Sequence, residues 1–154
     1  MKNDEYFMRK ALAEAEKSIR KNEIPVGAVL VAEDKILSSA HNETVVRNDP
    51  TAHAEIVTIR KACRKRNNYR LPDCDLYITL EPCAMCLGAM VQTRIRRLIY
   101  GALDPKAGAV ESIMRFPFDK TNHKPDINGG VLAEECGKIL KNFFKDKRKQ
   151  AKRE

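Results

Sequence analysis

A chain of 154 residues has the length of one domain, and at about 150 residues a domain buries roughly 68–70% of its unfolded surface, so no disulfide staples are needed. Its 43% apolar, 32% charged and 6% aromatic residues exclude a disordered or membrane-embedded chain; the longest apolar run, residues 26–32, is far too short to cross a bilayer. Net charge is +8, and five cysteines without a secretory segment exclude a disulfide scaffold, so a single cytoplasmic domain over 1–154 with no membrane partner is expected.

Asn3 or Asp4 suits the cap of a first helix, in which Phe7, Met8, Leu12, Ala15 and Ile19 recur at helical spacing before Pro25 stops it. Residues 26–32 read as a buried strand and 36–42 as a shorter partner, joined by a turn at Glu33, Asp34 and Lys35. Pro50 and Thr51 introduce a helical segment carrying Ile56, Ile59, Ala62 and Cys63. Its other face holds six bases between 56 and 72 and no acid. Residues 76–80 form a second buried strand, broken by Glu81 and Pro82, and 84–93 a helix. Strand pattern returns at 98–102. After a turn at Gly129 and Gly130, a basic amphipathic helix from about 131 carries Leu132, Cys136, Ile139, Leu140 and Phe143. Residues 138–154 contain eight bases against Asp146 and Glu154. Each basic run is either a solvated face or a footprint for an anionic partner. Strands alternating with helices predict an α/β sandwich with a mixed sheet covered by helices.

Two short pieces carry chemistry: His53-Ala54-Glu55 opening one helix and Pro82-Cys83-Ala84-Met85-Cys86 opening the next. Cys83 and Cys86 lie three apart at a helix start, so their side chains share a face, and the positive helix end favours thiolates. Zinc is the ion that takes thiolate and imidazole together, with His53 as third ligand. Three protein ligands leave one position for water, whose pKa zinc lowers, and Glu55 can stand beside it as acid and base. The competing expectation is a closed structural site with His41, Cys63, Cys74 or Cys136 as fourth ligand, or no metal. Each leftover cysteine is otherwise a small buried hydrophobe, and His123 a loop residue.

His-x-Glu followed by Pro-Cys-x-x-Cys resembles the zinc-dependent cytidine/deoxycytidylate deaminase family. Further segments are similar to its bacterial tRNA-specific adenosine deaminases: Pro25-Val26-Gly27-Ala28-Val29, Asn42, Asp49-Pro50-Thr51-Ala52, Tyr69-Arg70-Leu71, Leu76-Tyr77-Ile78-Thr79-Leu80-Glu81, Gly88-Ala89-Met90 and Phe143-Phe144. Leu87 and Leu103 depart from that pattern, as does the stretch 115–120. The resemblance implies a cytidine deaminase-like three-layer sandwich, with a central mixed sheet of about five strands flanked by helices. It implies one Zn2+ per subunit on His53, Cys83 and Cys86, with Glu55 relaying protons while a wobble adenosine in a tRNA anticodon becomes inosine and ammonia leaves. It also implies that Asn42 and Ala54 bind the target nucleoside, that Asp104, Lys106 and Phe144 line the pocket for the anticodon stem-loop, and that the enzyme is a homodimer. The alternatives are deamination of a free base or nucleotide such as cytosine or guanine, and a non-catalytic RNA-binding protein; the basic closing helix with its paired phenylalanines favours RNA.

Overall fold

The computed structural model describes residues 1–153. Glu154, counted in the basic closing run, lies outside the described residues. Helix α1 (Asp4–Ile19) starts where the Asn3 side chain accepts the Tyr6 N–H at 2.9 Å, and it buries Phe7, Met8, Ala11 and Ala15 on one face. Strands β1 (Gly27–Ala32) and β2 (Lys35–His41) form the predicted hairpin. Its turn residues Glu33 and Asp34 have φ of 50° and 63°, the left-handed pair that matches the twist of the strands. There follow α2 (Ala54–Arg66), β3 (Cys74–Leu80), α3 (Ala84–Thr93), β4 (Arg97–Ala102), β5 (Asp126–Asn128) and α4 (Ala133–Arg153). Hydrophobic pattern locates four of these strands. The fifth offers only Ile127 as an apolar residue, so it has no alternation to read and is defined by its pairing with β4.

The sheet runs β2-β1-β3-β4-β5, with β1 antiparallel to both neighbours and β3, β4 and β5 mutually parallel. Alternating residues divide the core between its two faces. Ala28, Leu30, Leu76, Ile78, Leu98 and Tyr100 pack with Ile56, Ile59, Leu87 and Met90 of α2 and α3. Val29, Val31, Tyr77 and Ile99 pack with Phe7 and Met8 of α1 and Cys136 of α4. This is a three-layer sandwich, and each large side chain so buried contributes about 1.5–3 kcal/mol. An ionic clasp ties the first turn of α1 to the sheet. Asp4 accepts from the Tyr77 hydroxyl at 2.7 Å and from Arg97 at 2.8 Å.

Parallel β3 and β4 put their carboxyl ends on one edge of the sheet, where open α/β sheets form their clefts. Chain leaving β3 enters α3 through Glu81, Pro82 and Cys83, and the start of α2 meets it there.

Candidate active site

His53 and Cys83 are the N-caps of α2 and α3, both in extended conformation, and neither side chain caps its own helix. Both are free to turn toward the gap between the two helix ends. Cys86 is the third residue of α3, and N-cap and third-residue side chains meet over a helix start, which is the physical content of the two-residue spacer. The Cys83 and Cys86 sulfurs are 3.7 Å apart, and His53 Nδ1 lies 3.7 Å from the first and 3.6 Å from the second. Tetrahedral zinc about 2.3 Å from sulfur and about 2.0–2.1 Å from nitrogen sets edges of about 3.8 Å between sulfurs and about 3.6 Å between sulfur and nitrogen. The triangle therefore fits the ion. Among the described residues no fourth His, Cys, Asp or Glu joins this group. His41 is engaged elsewhere, with Lys21 and the Asn42 carbonyl, while Cys74 and Cys136 are buried in the core.

Hydrogen bonding from the Cys86 thiol, aided by His53, lowers Cys83 to about 4, while donating that bond and being buried raise Cys86. The two sulfurs lie close enough to share one proton, which a dication bound there would displace. The bond to Cys83 likewise raises His53. Glu55, in the first turn of α2, is 4% exposed, and burial pushes its carboxyl up to about 7, against the opposing pull of its own backbone N–H and of His53.

These groups face a cavity of about 200 Å³ lined by Asn42, Thr44, His53, Glu55, Glu81, Cys83 and Asp104, with Ile24, Val26, Leu80 and Ala107. That is smaller than the roughly 300 Å³ at which pockets for whole drug-sized molecules begin, and it suits a single flat base. Ala54 is fully buried and its side chain is not part of the lining. As the first residue of α2 it instead leaves its N–H without a carbonyl partner inside the helix. Asp104 stands at the rim, where its carboxylate accepts the N–H groups of Lys106 and Ala107 at 3.0 and 3.3 Å.

Ile24, Leu80 and Asp104 also line a larger groove of about 720 Å³ between the 102–106 segment and α4. Leu103, Leu140 and Phe144 supply apolar surface to it, and Lys106, Lys141, Lys147 and Arg148 supply positive charge. Phe144 is 40% exposed while Phe143, edge-on to it at 5.4 Å, is buried, and the Lys106 ammonium lies 5.9 Å from the Phe144 ring centre. Of the two basic runs it is therefore the one on α4 that adjoins the cavity. The run on α2 is largely spoken for. Lys61 and Lys65 donate to the Ser39 and Leu37 carbonyls of edge strand β2 at 3.0 and 3.2 Å, Arg60 lies 3.6 Å from Asp49, and Arg66 grips Asp73 with both nitrogens.

Glu81 reads in sequence only as a strand breaker, yet it organises the rim. Its carboxylate, 2% exposed, accepts the N–H groups of Asp104, Val110, Glu111 and Ser112 and the Ser112 hydroxyl. Burial alone would push it up, but these hydrogen bonds outweigh that and hold it below the usual carboxylate range. An acid that ends an apolar strand directly before Pro82 is the signal the sequence offers; its partners, more than twenty residues on, are not legible there.

The profile of the MafB19-like deaminase family matches residues 2–148. The tRNA-specific adenosine deaminase of Agrobacterium fabrum is 49% identical, over 93% of this chain and 95% of its own length. A structure from work on A-to-I editing by tRNA:A34 deaminases at the wobble position superposes with a TM-score of 0.84 at 49% identity, covering 88% of this chain and 99% of that one. Guanine deaminase from Bacillus subtilis superposes with a TM-score of 0.64 at 41% identity, over 66% of each chain. The three-layer sandwich is thus the cytidine deaminase-like fold, and the chain belongs to the MafB19-like deaminase family, in the branch that holds the tRNA-specific adenosine deaminases.

Proposed function

We propose that this chain is a hydrolase that deaminates the wobble adenosine of a tRNA anticodon to inosine and releases ammonia. The observation that carries the reading is a His-Cys-Cys triangle of the size zinc requires, with a buried carboxyl beside it, in a cavity the size of one base that opens onto a cationic, aromatic groove. Zinc held by His53, Cys83 and Cys86 would lower the pKa of water enough for it to act as a nucleophile at neutral pH. Glu55 is the catalytic acid and base. It takes one proton of the attacking water and delivers it to the ring nitrogen beside the amino-bearing carbon; it then takes the proton of the hydroxyl now on that carbon and hands it to the amine, which leaves as ammonia as the C=O bond forms and the C–N bond breaks. A carboxyl pushed up to about 7 by burial gives and receives protons with little penalty near neutral pH.

Asn42 holds the target nucleoside with its side chain, and Ala54 offers its free N–H to the base. Asp104, Lys106 and Phe144 receive the neighbouring anticodon-loop nucleotides. Unpaired bases stack on aromatic rings while phosphates pair with Lys141, Lys147 and Arg148. We extend the reading to a homodimer with the site near the subunit contact, which exposed Ile113 and Met114 beside the rim segment supply with apolar surface. A tRNA substrate also puts the enzyme in the cytoplasm. No described helix is long and apolar enough to cross a membrane.

A second reading, deamination of free guanine, is favoured by the likeness to the Bacillus subtilis enzyme, but that likeness extends over less of the chain. The deciding experiment incubates the zinc-loaded protein with total unmodified tRNA and, separately, with free guanine and cytosine. Inosine at the wobble position, read by sequencing, is the expected result. Turnover of a free base without any conversion in tRNA would overturn the reading.

A further inference from the structure

The segment that carries Asn42 is buttressed from behind by the link between α1 and β1. Its backbone is held at both ends, because the Asn42 N–H donates to the Val26 carbonyl at 3.0 Å and the His41 ring lies 3.0 Å from the Asn42 carbonyl. A carbonyl only accepts, so His41 Nδ1 carries the proton and Nε2 accepts from the Lys21 ammonium at 3.1 Å. What the backbone leaves open is which way the Asn42 amide faces.

Glu23 is fully buried and lies outside the catalytic set. Its carboxylate accepts the Val45 N–H at 3.0 Å and the Val46 N–H at 2.8 Å. The Thr44 hydroxyl stands 3.4 Å from the same carboxylate and 3.4 Å from Asn42 Nδ2. An acceptor at the far end fixes the sense of the whole relay. Thr44 donates to Glu23, its oxygen is then left to accept, and the donor it meets is the NH2 of Asn42. The amide oxygen is thereby the atom offered to the cavity that Asn42 and Thr44 both line.

We infer that Thr44, backed by Glu23, is a positioning residue that locks the Asn42 amide with its oxygen toward the substrate, so that the site selects a nucleoside presenting a hydrogen-bond donor there. The inference rests on the proposed function for what enters the cavity, while the lock itself is a property of the free protein. Isosteric Thr44→Val removes the relay and keeps the shape; Thr44→Ser retains the hydroxyl.

The test reads the Asn42 side-chain NH2 protons by NMR in the free zinc-loaded protein, with Thr44→Val, Thr44→Ser and Asn42→Ala as variants. Slow exchange in the parent and in Thr44→Ser, with faster exchange in Thr44→Val, is expected. Unchanged exchange in Thr44→Val would overturn the lock whatever the substrate. In turnover on tRNA, Thr44→Val should lower kcat/KM about 2- to 12-fold, the worth of one neutral hydrogen bond. That loss should vanish in the Asn42→Ala background. An equal loss in both backgrounds would reduce Thr44 to a loop residue and overturn the inference. A parent protein inactive on tRNA would sink the functional reading alone, since the amide exchange still decides the lock.

Discussion

Glu55 and Glu81 are buried carboxylates on the same cavity, and their surroundings push them in opposite directions. Glu81 is saturated with donors and held ionised as a structural anchor, whereas Glu55 has its proton affinity raised by burial. That difference supports the proton-transfer role proposed for Glu55. Replacing it by Gln should lower deamination by at least about 100-fold, the usual range for a general acid and base, while zinc content by atomic absorption stays unchanged. Full activity in Glu55→Gln would remove the shuttle. Cys86→Ala should instead leave the chain with far less than the about one zinc expected per subunit, because a two-ligand remnant cannot hold the ion tetrahedrally. Retained zinc there would mean the ion sits elsewhere. Gly108 belongs with Glu81. A Cβ at that position would overlap the Glu81 carboxyl group, so Gly108→Ala should loosen the 104–112 segment and lower kcat/KM on tRNA with zinc content intact. These residues also mark how far sequence reaches. His53, Glu55, Cys83 and Cys86 are legible because their spacing is local to two helix starts. Glu81 and Glu23 are not, because each acts through contacts more than twenty residues away that no periodicity encodes, and Thr44 is not, because its bond to nearby Asn42 gains its sense only from distant Glu23.

Among the elements, α1 shows how a polar contact and an apolar face divide the work of fixing a helix. Phe7 and Met8 supply the burial, and the clasp of Asp4 with Tyr77 and Arg97 sets the register of the first turn against β3 and β4. Burial works against the ionised Asp4, yet the hydrogen bonds from Arg97 and Tyr77 outweigh it and its carboxyl is held below 3.8. A lowered folded pKa contributes stability that is present above 3.8 and fades as pH falls through the folded value. Asp4→Asn should therefore cost about 1 kcal/mol in urea unfolding at pH 7, with the difference shrinking below pH 3.8. A penalty independent of pH would assign the contact to shape alone. Sequence pattern locates α1 by its apolar spacing and α3 by its flanking breakers, since both have long periodic or apolar stretches. It misses β5, which is three residues of mostly polar chain held by β4 alone, and it does not show that Gly27 lets α1 approach, where a Cβ would overlap the Ala11 carbonyl.

For the molecule as a whole, the +8 charge is a poor guide until the bases are sorted by what they touch. Lys61 and Lys65 satisfy free carbonyls along the exposed edge of β2, which blunts that edge against pairing with another chain. They are committed to the fold. Lys141, Lys147 and Arg148 line the groove that shares walls with the cavity, and among the described residues their side chains make no ion pair or hydrogen bond, Lys147 meeting only the Phe143 ring at 5.6 Å. Counterion release makes this distinction measurable, because each phosphate contact to a single-stranded segment contributes about 0.7, and to a duplex about 0.9, to the slope of log affinity against log salt. Replacing Lys141, Lys147 and Arg148 together by Ala should lower that slope for an anticodon stem-loop by about 2–3 and weaken binding most at low salt. Replacing Lys61 and Lys65 should leave the slope unchanged and lower Tm, because two carbonyls of the edge strand lose their donors. If instead the α2 pair carries the salt dependence and the α4 triple does not, the RNA lies along the other face of the sheet edge, and the groove beside the cavity is not its path.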